Sequence, residues 1–126
     1  MAMVVNQYDI FWIDLNPTIG SEINKIRPCL VISPNEMNSL RTVLVAPMTT
    51  KGLNLPTRIK LTFKGKKGQV VLDQIRAVDK SRVAGMIGKL SNTDQRSARK
   101  VTRGRFAVQN ARMRWTTQNA AAEPMA

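Results

Sequence analysis

Apolar residues fall along this chain in short clusters separated by polar turns, and within most clusters they alternate. Tyr8 to Leu15 alternates loosely and predicts a first strand, with Trp12 in the core or at an interface. Pro28 to Ser33 is a short buried strand, ended by Ser33-Pro34-Asn35, and Glu36 to Ser39 is one helical turn or loop. Thr42 to Ala46 is β-branched and apolar, a third strand that Pro47 is expected to stop. Thr49 to Pro56 is loop by composition. Arg58 to Phe63 alternates polar and apolar, as a half-buried strand does. Lys64 to Gly68 turns the chain, and Gln69 to Asp73 is the next strand, continuing through Ile75, Ala77 and Val78. Asp79 to Arg82 can make a helical turn, and Gly85 to Leu90 forms a last strand. Ser91, Asn92, Thr93 and Asp94 offer N-caps for a closing helix. Short strands at close spacing before one terminal helix predict an α+β chain that is mainly β. The expected architecture is a small, strongly bent antiparallel barrel with short helical turns and a C-terminal helix.

From about Gln95 the pattern changes. Arg96, Arg99, Lys100, Arg103, Arg105, Arg112 and Arg114 crowd in while large apolar residues thin out. Gly104 weakens the middle of this segment, so a helix is expected through roughly Phe106 to Arg114, with Gln118 to Ala126 disordered. The 126 residues are one domain's worth, read as a single domain over 1–116 and a tail over 117–126.

Composition narrows the function. No apolar run approaches the length of a membrane span, and Met1 to Gln7 lacks a signal-type core, so a cytoplasmic protein is expected. One cysteine and no histidine exclude an internal disulfide framework and argue against zinc, haem and His-based nucleophilic catalysis; no cofactor is expected. Twenty Lys and Arg against eight acids, a net charge of +12, point to a polyanionic partner. Nucleic acid fits better than a membrane surface, because the basic C-terminal segment lacks the broad apolar face of an interfacial helix.

The candidate site lies on the connection from Asn16 to Ser33, longer than a hairpin requires and rich in polar residues. Arg27 precedes Pro28, which biases it to an extended backbone at the strand start. A guanidinium held there is either a phosphate ligand or one half of a surface salt bridge.

Three motifs carry a resemblance. Tyr8 to Glu22 with Arg27 to Ser33, then Ala46-Pro47-Met48-Thr49-Thr50, then Asp73 to Arg82, resemble in order and spacing the MazF/PemK-type toxin endoribonucleases. The likeness covers about Tyr8 to Leu90. It implies an SH3-like barrel, a homodimer, and sequence-selective cleavage of single-stranded RNA without a metal. It also implies an antitoxin whose acidic segment lies in the RNA groove. Because the same barrel serves non-enzymatic gyrase poisons, a pure binding protein or a plain basic nucleic-acid module is the alternative.

Transesterification requires that the 2′-OH lose its proton, that the phosphorane charge be stabilised and that the 5′-oxygen be protonated. Arg27 suits the charge. Thr49 matches the family's catalytic threonine and is otherwise a strand-end residue. Glu22, loop-borne and near Arg27, is the candidate base, or else a solvated partner of Lys25. Ser21, Asn24, Lys25, Thr50 and Lys51 are expected RNA contacts. Asp73 and Gln74 could meet a base edge or the 2′-OH, Asp73 alternatively pairing with Arg76, while Arg58 and Arg76 line the groove. Tyr8, Phe11 and Trp12 are read as core or dimer residues, and the Lys64 to Lys67 cluster as an exposed turn.

Overall fold

Alternation decides what each strand buries, and pairing decides where the sheet bends. The computed structural model describes residues 4–17, 19–20, 22–23 and 25–103. Ser21, Asn24, the Phe106–Arg114 segment and the tail lie outside the described residues. Seven strands follow in order: β1 (Asp9–Asp14), β2 (Ile26–Val31), β3 (Thr42–Thr49), β4 (Arg58–Phe63), β5 (Lys66–Val71), β6 (Arg76–Asp79) and β7 (Val83–Lys89). One helix, α1 (Asn92–Val101), closes the described chain, and 3-10 turns occupy Asn35–Ser39, Leu72–Gln74 and Lys80–Arg82. Every pairing is antiparallel; the sheet runs β4-β5-β3-β2-β1-β7, with β6 also on β3.

The central strand differs from expectation. β3 runs through Pro47 to Thr49. One edge pairs with β2; the other pairs first with β6, ending at Val45↔Arg76, and then with β5, starting at Met48↔Val70. The carbonyl of Leu44 accepts from the Ile32 N–H, and its own N–H donates to the Ser33 hydroxyl, so its backbone faces β2. Alternation then turns the Pro47 nitrogen to the opposite edge, into the gap between β6 and β5, where a missing N–H costs no ladder bond. The strand expected from Gln69 onward is likewise divided: β5 ends at Val71, and the turn Leu72–Gln74 steps the chain along β3 into β6.

The sheet is buried on both faces around β1 to β3, which is why Cys29 to Ile32 is apolar without alternation. Phe11, Ile13, Cys29, Val31, Val43 and Val45 pack on one face; Ile10, Leu30, Ala46, Met48, Val70 and Leu72 pack on the other. Tyr8 and Phe11 are core residues as expected, while Trp12 is 44% exposed, which rules out the core alternative for it and leaves that of an interface residue. Helix α1 covers the second face with only Ala98 and Val101, because Tyr8 and Leu90 supply the bulk beneath it. The Arg99 guanidinium lies 6.0 Å from the Tyr8 ring centre, adding a cation–π contact. Among the described residues, no helix is long and apolar enough to cross a membrane.

The helix begins at the expected cap. The Ser91 hydroxyl accepts from the Asp94 N–H at 3.1 Å. Ser91→Ala is expected to lower the unfolding free energy by about 1 kcal/mol in urea titration, with Ser91→Asp retaining it.

Candidate active site

The connection between β1 and β2 is closed at its neck by backbone. The Leu15 N–H donates to the Lys25 carbonyl at 3.0 Å, and the Lys25 N–H donates to Asn16 Oδ1 at 3.2 Å. Lys25 takes a left-handed backbone, φ 69°, as the chain turns into β2. From the far side, Arg76 donates to the Leu15 carbonyl at 3.0 Å and Arg82 donates to that of Asn16. Gln74 Oε1 accepts from the Ile23 N–H at 3.0 Å. Gln74 and Arg76, read from the sequence as RNA contacts, thus anchor the loop that precedes Arg27.

Pairing then builds a row across the sheet. Arg27 pairs with Ile13 in β1, Thr49 pairs with Gln69 in β5, and Gln69 pairs with Lys60 in β4. Between β2 and β3 the pairing reaches Cys29↔Pro47, and the same register continued by two residues would bring Arg27 level with Thr49. Both border a groove of about 350 Å³ floored by Trp12, Pro28, Met48, Leu61 and Phe63, and the pleat turns their own side chains toward the face of Cys29 and Pro47. Its rim carries Thr50 and the hairpin lysines Lys64, Lys66 and Lys67. Backbones crowd closely here: a Cβ on Gly68 would lie 2.8 Å from the Thr49 carbonyl oxygen, so a side chain there would displace Thr49. Thr49 Oγ1 accepts from the Lys51 N–H at 3.1 Å, which leaves its own proton to donate outward.

A second recess, of about 260 Å³, is lined by Glu22, Ile23, Pro47, Asp73, Gln74, Ile75 and Arg76. Pro47 precedes Thr49 by two residues on the same strand face, so the recess lies about 7 Å along β3 from the Arg27–Thr49 row. Glu22 is exposed, and its Oε1 accepts from the Ile19 N–H at 2.7 Å. Asp73 is held by Arg58, at 3.2 and 3.3 Å, and by the Thr57 hydroxyl at 3.1 Å. Its partner is Arg58, which the sequence placed in the groove, and not Arg76. Burial pushes the Asp73 carboxyl up, but hydrogen bonds from Arg58, its own backbone N–H and Thr57, with the Arg58 charge, outweigh this and hold it below the ordinary 3.8.

Cys29 is fully buried, and its thiol donates to the Arg27 carbonyl at 3.6 Å. Burial pushes the thiol up to about 12 against the opposing charges of Arg76 and Arg27, so it stays protonated and is no nucleophile. Ser21 and Asn24 lie outside the described residues, while Lys25 and Lys51 are exposed on the loops beside β2 and β3. Sequence reasoning passed over Trp12 and the lysines of the β4–β5 turn as site residues. Pairing of β1 with β2 sets Trp12 opposite Pro28, beside Arg27, and the folding of the hairpin beside β3 brings the lysines to the same groove.

The curled sheet and its helix are the fold of the MazF toxins. MazF (Form-I) from Deinococcus radiodurans superposes with a TM-score of 0.73 at 24% identity, over 83% of this chain and 98% of that one. An endoribonuclease in complex with its cognate antitoxin, from mycobacterial species, superposes with a TM-score of 0.68 at 17% identity, over 82% of this chain and 95% of that one. Residues 6–103 match the family described as PemK-like, MazF-like toxin of type II toxin-antitoxin system, and the chain belongs to that family. Among its relatives, the endoribonuclease EndoA of Bacillus subtilis (strain 168) is 33% identical over 97 residues, 71% of this chain and 84% of EndoA. The endoribonuclease toxin MazF of Escherichia coli (strain K12) is 32% identical over 71 residues, 56% of this chain and 64% of that protein.

Two pH dependences follow. The Asp73 carboxyl is lowered in the folded state, so the stability it confers is whole above 3.8 and is lost as pH falls through its lower folded value. The difference in urea stability between the native chain and Asp73→Asn is expected to shrink over that acid window and nowhere else. For Cys29 the sign is reversed: its contribution is whole below 9.0 and is lost as pH rises toward about 12. At pH 8 the native protein is expected to resist alkylation by iodoacetamide, and the urea-unfolded chain to react fully.

Proposed function

We propose that this chain is the toxin of a type II toxin–antitoxin pair and cuts single-stranded mRNA, at preferred sequences, by metal-independent transesterification. The observation that carries the reading is that Arg27 and Thr49, each two residues beyond the Cys29↔Pro47 pair, border a groove with an apolar floor and a basic rim. Bases stack on such floors while cations on the rim follow the phosphates.

In the proposed reaction the ribose 2′-oxygen attacks the adjacent phosphorus, and the bond to the 5′-oxygen breaks as that oxygen takes a proton from solvent. The products are a 2′,3′-cyclic phosphate and a 5′-hydroxyl. Arg27 takes up the charge that develops on the phosphoryl oxygens, and the Thr49 hydroxyl donates to one of them. Glu22 accepts the 2′-OH proton: it stands in the neighbouring recess, and the other carboxylate there, Asp73, is committed to Arg58. Arg27 is not assigned the base role, because a guanidinium hardly deprotonates.

The partner reading follows from charge. An acidic antitoxin segment fits the lysine-rimmed groove and competes with RNA for it. The chain works as a homodimer in this proposal, β7 being an edge strand whose Ala84, Gly85 and Met86 are exposed.

The test is cleavage of a long single-stranded RNA in EDTA with chemical analysis of the ends. Discrete fragments with cyclic-phosphate and 5′-hydroxyl ends are expected, with cutting by Arg27→Ala reduced by about 100-fold or more. Intact RNA from the folded native chain, or undiminished cutting by folded Arg27→Ala, would overturn the assignment.

A further inference from the structure

A third cavity, of about 380 Å³, adjoins the Arg27 groove along the β4–β5 hairpin and shares Thr50, Leu61, Lys67, Gly68 and Gln69 with it. Its lining sets Lys60, Lys67 and the Thr50 and Thr62 hydroxyls around Leu61, Gln69 and two glycines, Gly52 and Gly68. Lys60 pairs with Gln69 and Lys67 with Thr62, so both lysines stand on one face of the hairpin, diagonally across adjacent strands. Neither belongs to an ion pair among the described residues, where the pairs are Arg41–Asp79, Arg58–Asp73 and Lys89–Asp9. Two like charges held together on a rigid hairpin repel one another until an anion sits between them.

The wall of this cavity is built. Gln69 is only 7% exposed, and its amide clamps the backbone of Leu53 twice, donating to the carbonyl at 3.0 Å and accepting from the N–H at 3.2 Å. The loop sits so close that a Cβ on Gly52 would lie 2.4 Å from the Gln69 amide. Gln69 is also the strand partner of Thr49, so the cavity begins one residue beyond the proposed catalytic threonine, at Thr50.

We propose that this cavity is a second phosphate subsite, in which Lys60 and Lys67, with the Thr50 and Thr62 hydroxyls, hold an RNA phosphodiester next to the one being cut. The proposal rests on the ribonuclease reading and extends it. The strand leaves the Arg27–Thr49 row over Gln69, and the clamp fixes how far the next phosphate lies from the scissile one. An acidic peptide would present carboxylates at a different spacing, and RNA is the occupant assigned here because the cavity adjoins Thr49 directly.

The experiment uses the full chain and an RNA oligonucleotide centred on a mapped cut. A 2′-deoxy sugar at that position blocks cleavage, so equilibrium binding can be read by fluorescence anisotropy. A single neutral methylphosphonate is moved along the linkages, and the salt dependence of binding is compared for the native chain and Lys60→Gln/Lys67→Gln. Both substitutions lie on exposed positions. In the native chain one linkage beside the scissile one is expected, when neutralised, to reduce the slope of log K against log[salt] by about 0.7, the value for one single-strand phosphate. The double variant is expected to show that same loss with unmodified RNA and no further loss when the linkage is neutralised. An unchanged slope, an equal loss at every linkage, or an effect confined to an acidic antitoxin peptide overturns the subsite. Absence of cutting of unmodified RNA by the native chain would instead sink the ribonuclease reading beneath it.

Discussion

The change of partner along one edge of β3 is the constraint on which the rest depends. A strand that gives its first half to β6 and its second half to β5 cannot lie in a flat sheet, because its two neighbours leave in different directions. Pro47 sits at the break with its nitrogen facing the gap, so the feature that reads as a strand terminator lets the strand continue. Continuation carries Thr49 beyond β6 and into register with Gln69, two residues past the Cys29↔Pro47 pair on the other edge. Had β3 stopped at Ala46, Thr49 would have no place in the sheet beside Gln69.

The same break organises the loops. The turn Leu72–Gln74 covers the step from β5 to β6, and from it Gln74 reaches the Ile23 backbone while Arg76 reaches Leu15. Side chains that look in the sequence like a third band of RNA contacts thereby hold the long β1–β2 connection in place. Their effect on Arg27 is indirect, through the path of the chain that delivers it. Asp73 does comparable work: with Arg58, whose side chain is 9% exposed, it ties the start of β4 to the same turn. A paired, largely desolvated guanidinium of this kind loses more when its carboxylate is removed than the pair contributes in itself.

The excess of positive charge is also distributed with structural meaning. Arg58, Arg76 and Arg82 have partners within the fold, whereas Lys60, Lys64, Lys66 and Lys67 crowd one exposed hairpin that carries no acid between Arg58 and Val71. That separation turns a net charge, which by itself speaks only of solubility and non-specific attraction, into a directional field beside Thr49.

Much was legible before any fold was known. Alternation in Arg58 to Phe63, the unbroken apolar run through Cys29 to Ile32 and the cap at Ser91 are local patterns, and local patterns follow from the pleat and the helix geometry alone. The three motifs carried the family, and Arg27 before Pro28 marked the candidate site. Other features could not be read, because they are relations between distant segments. The body of α1 lies at Asn92–Val101 in a stretch poor in apolar residues, since the bulk it covers comes from Tyr8 and Leu90. Trp12 reaches the groove beside Arg27 through β1–β2 pairing and the hairpin lysines reach it because β4–β5 folds back beside β3, and pairing partners leave no mark in a single strand's sequence. The sequence by itself determined which residues can stabilise a phosphate; only the tertiary structure decided which of them meet, because register sets those meetings and register is a property of two strands at once.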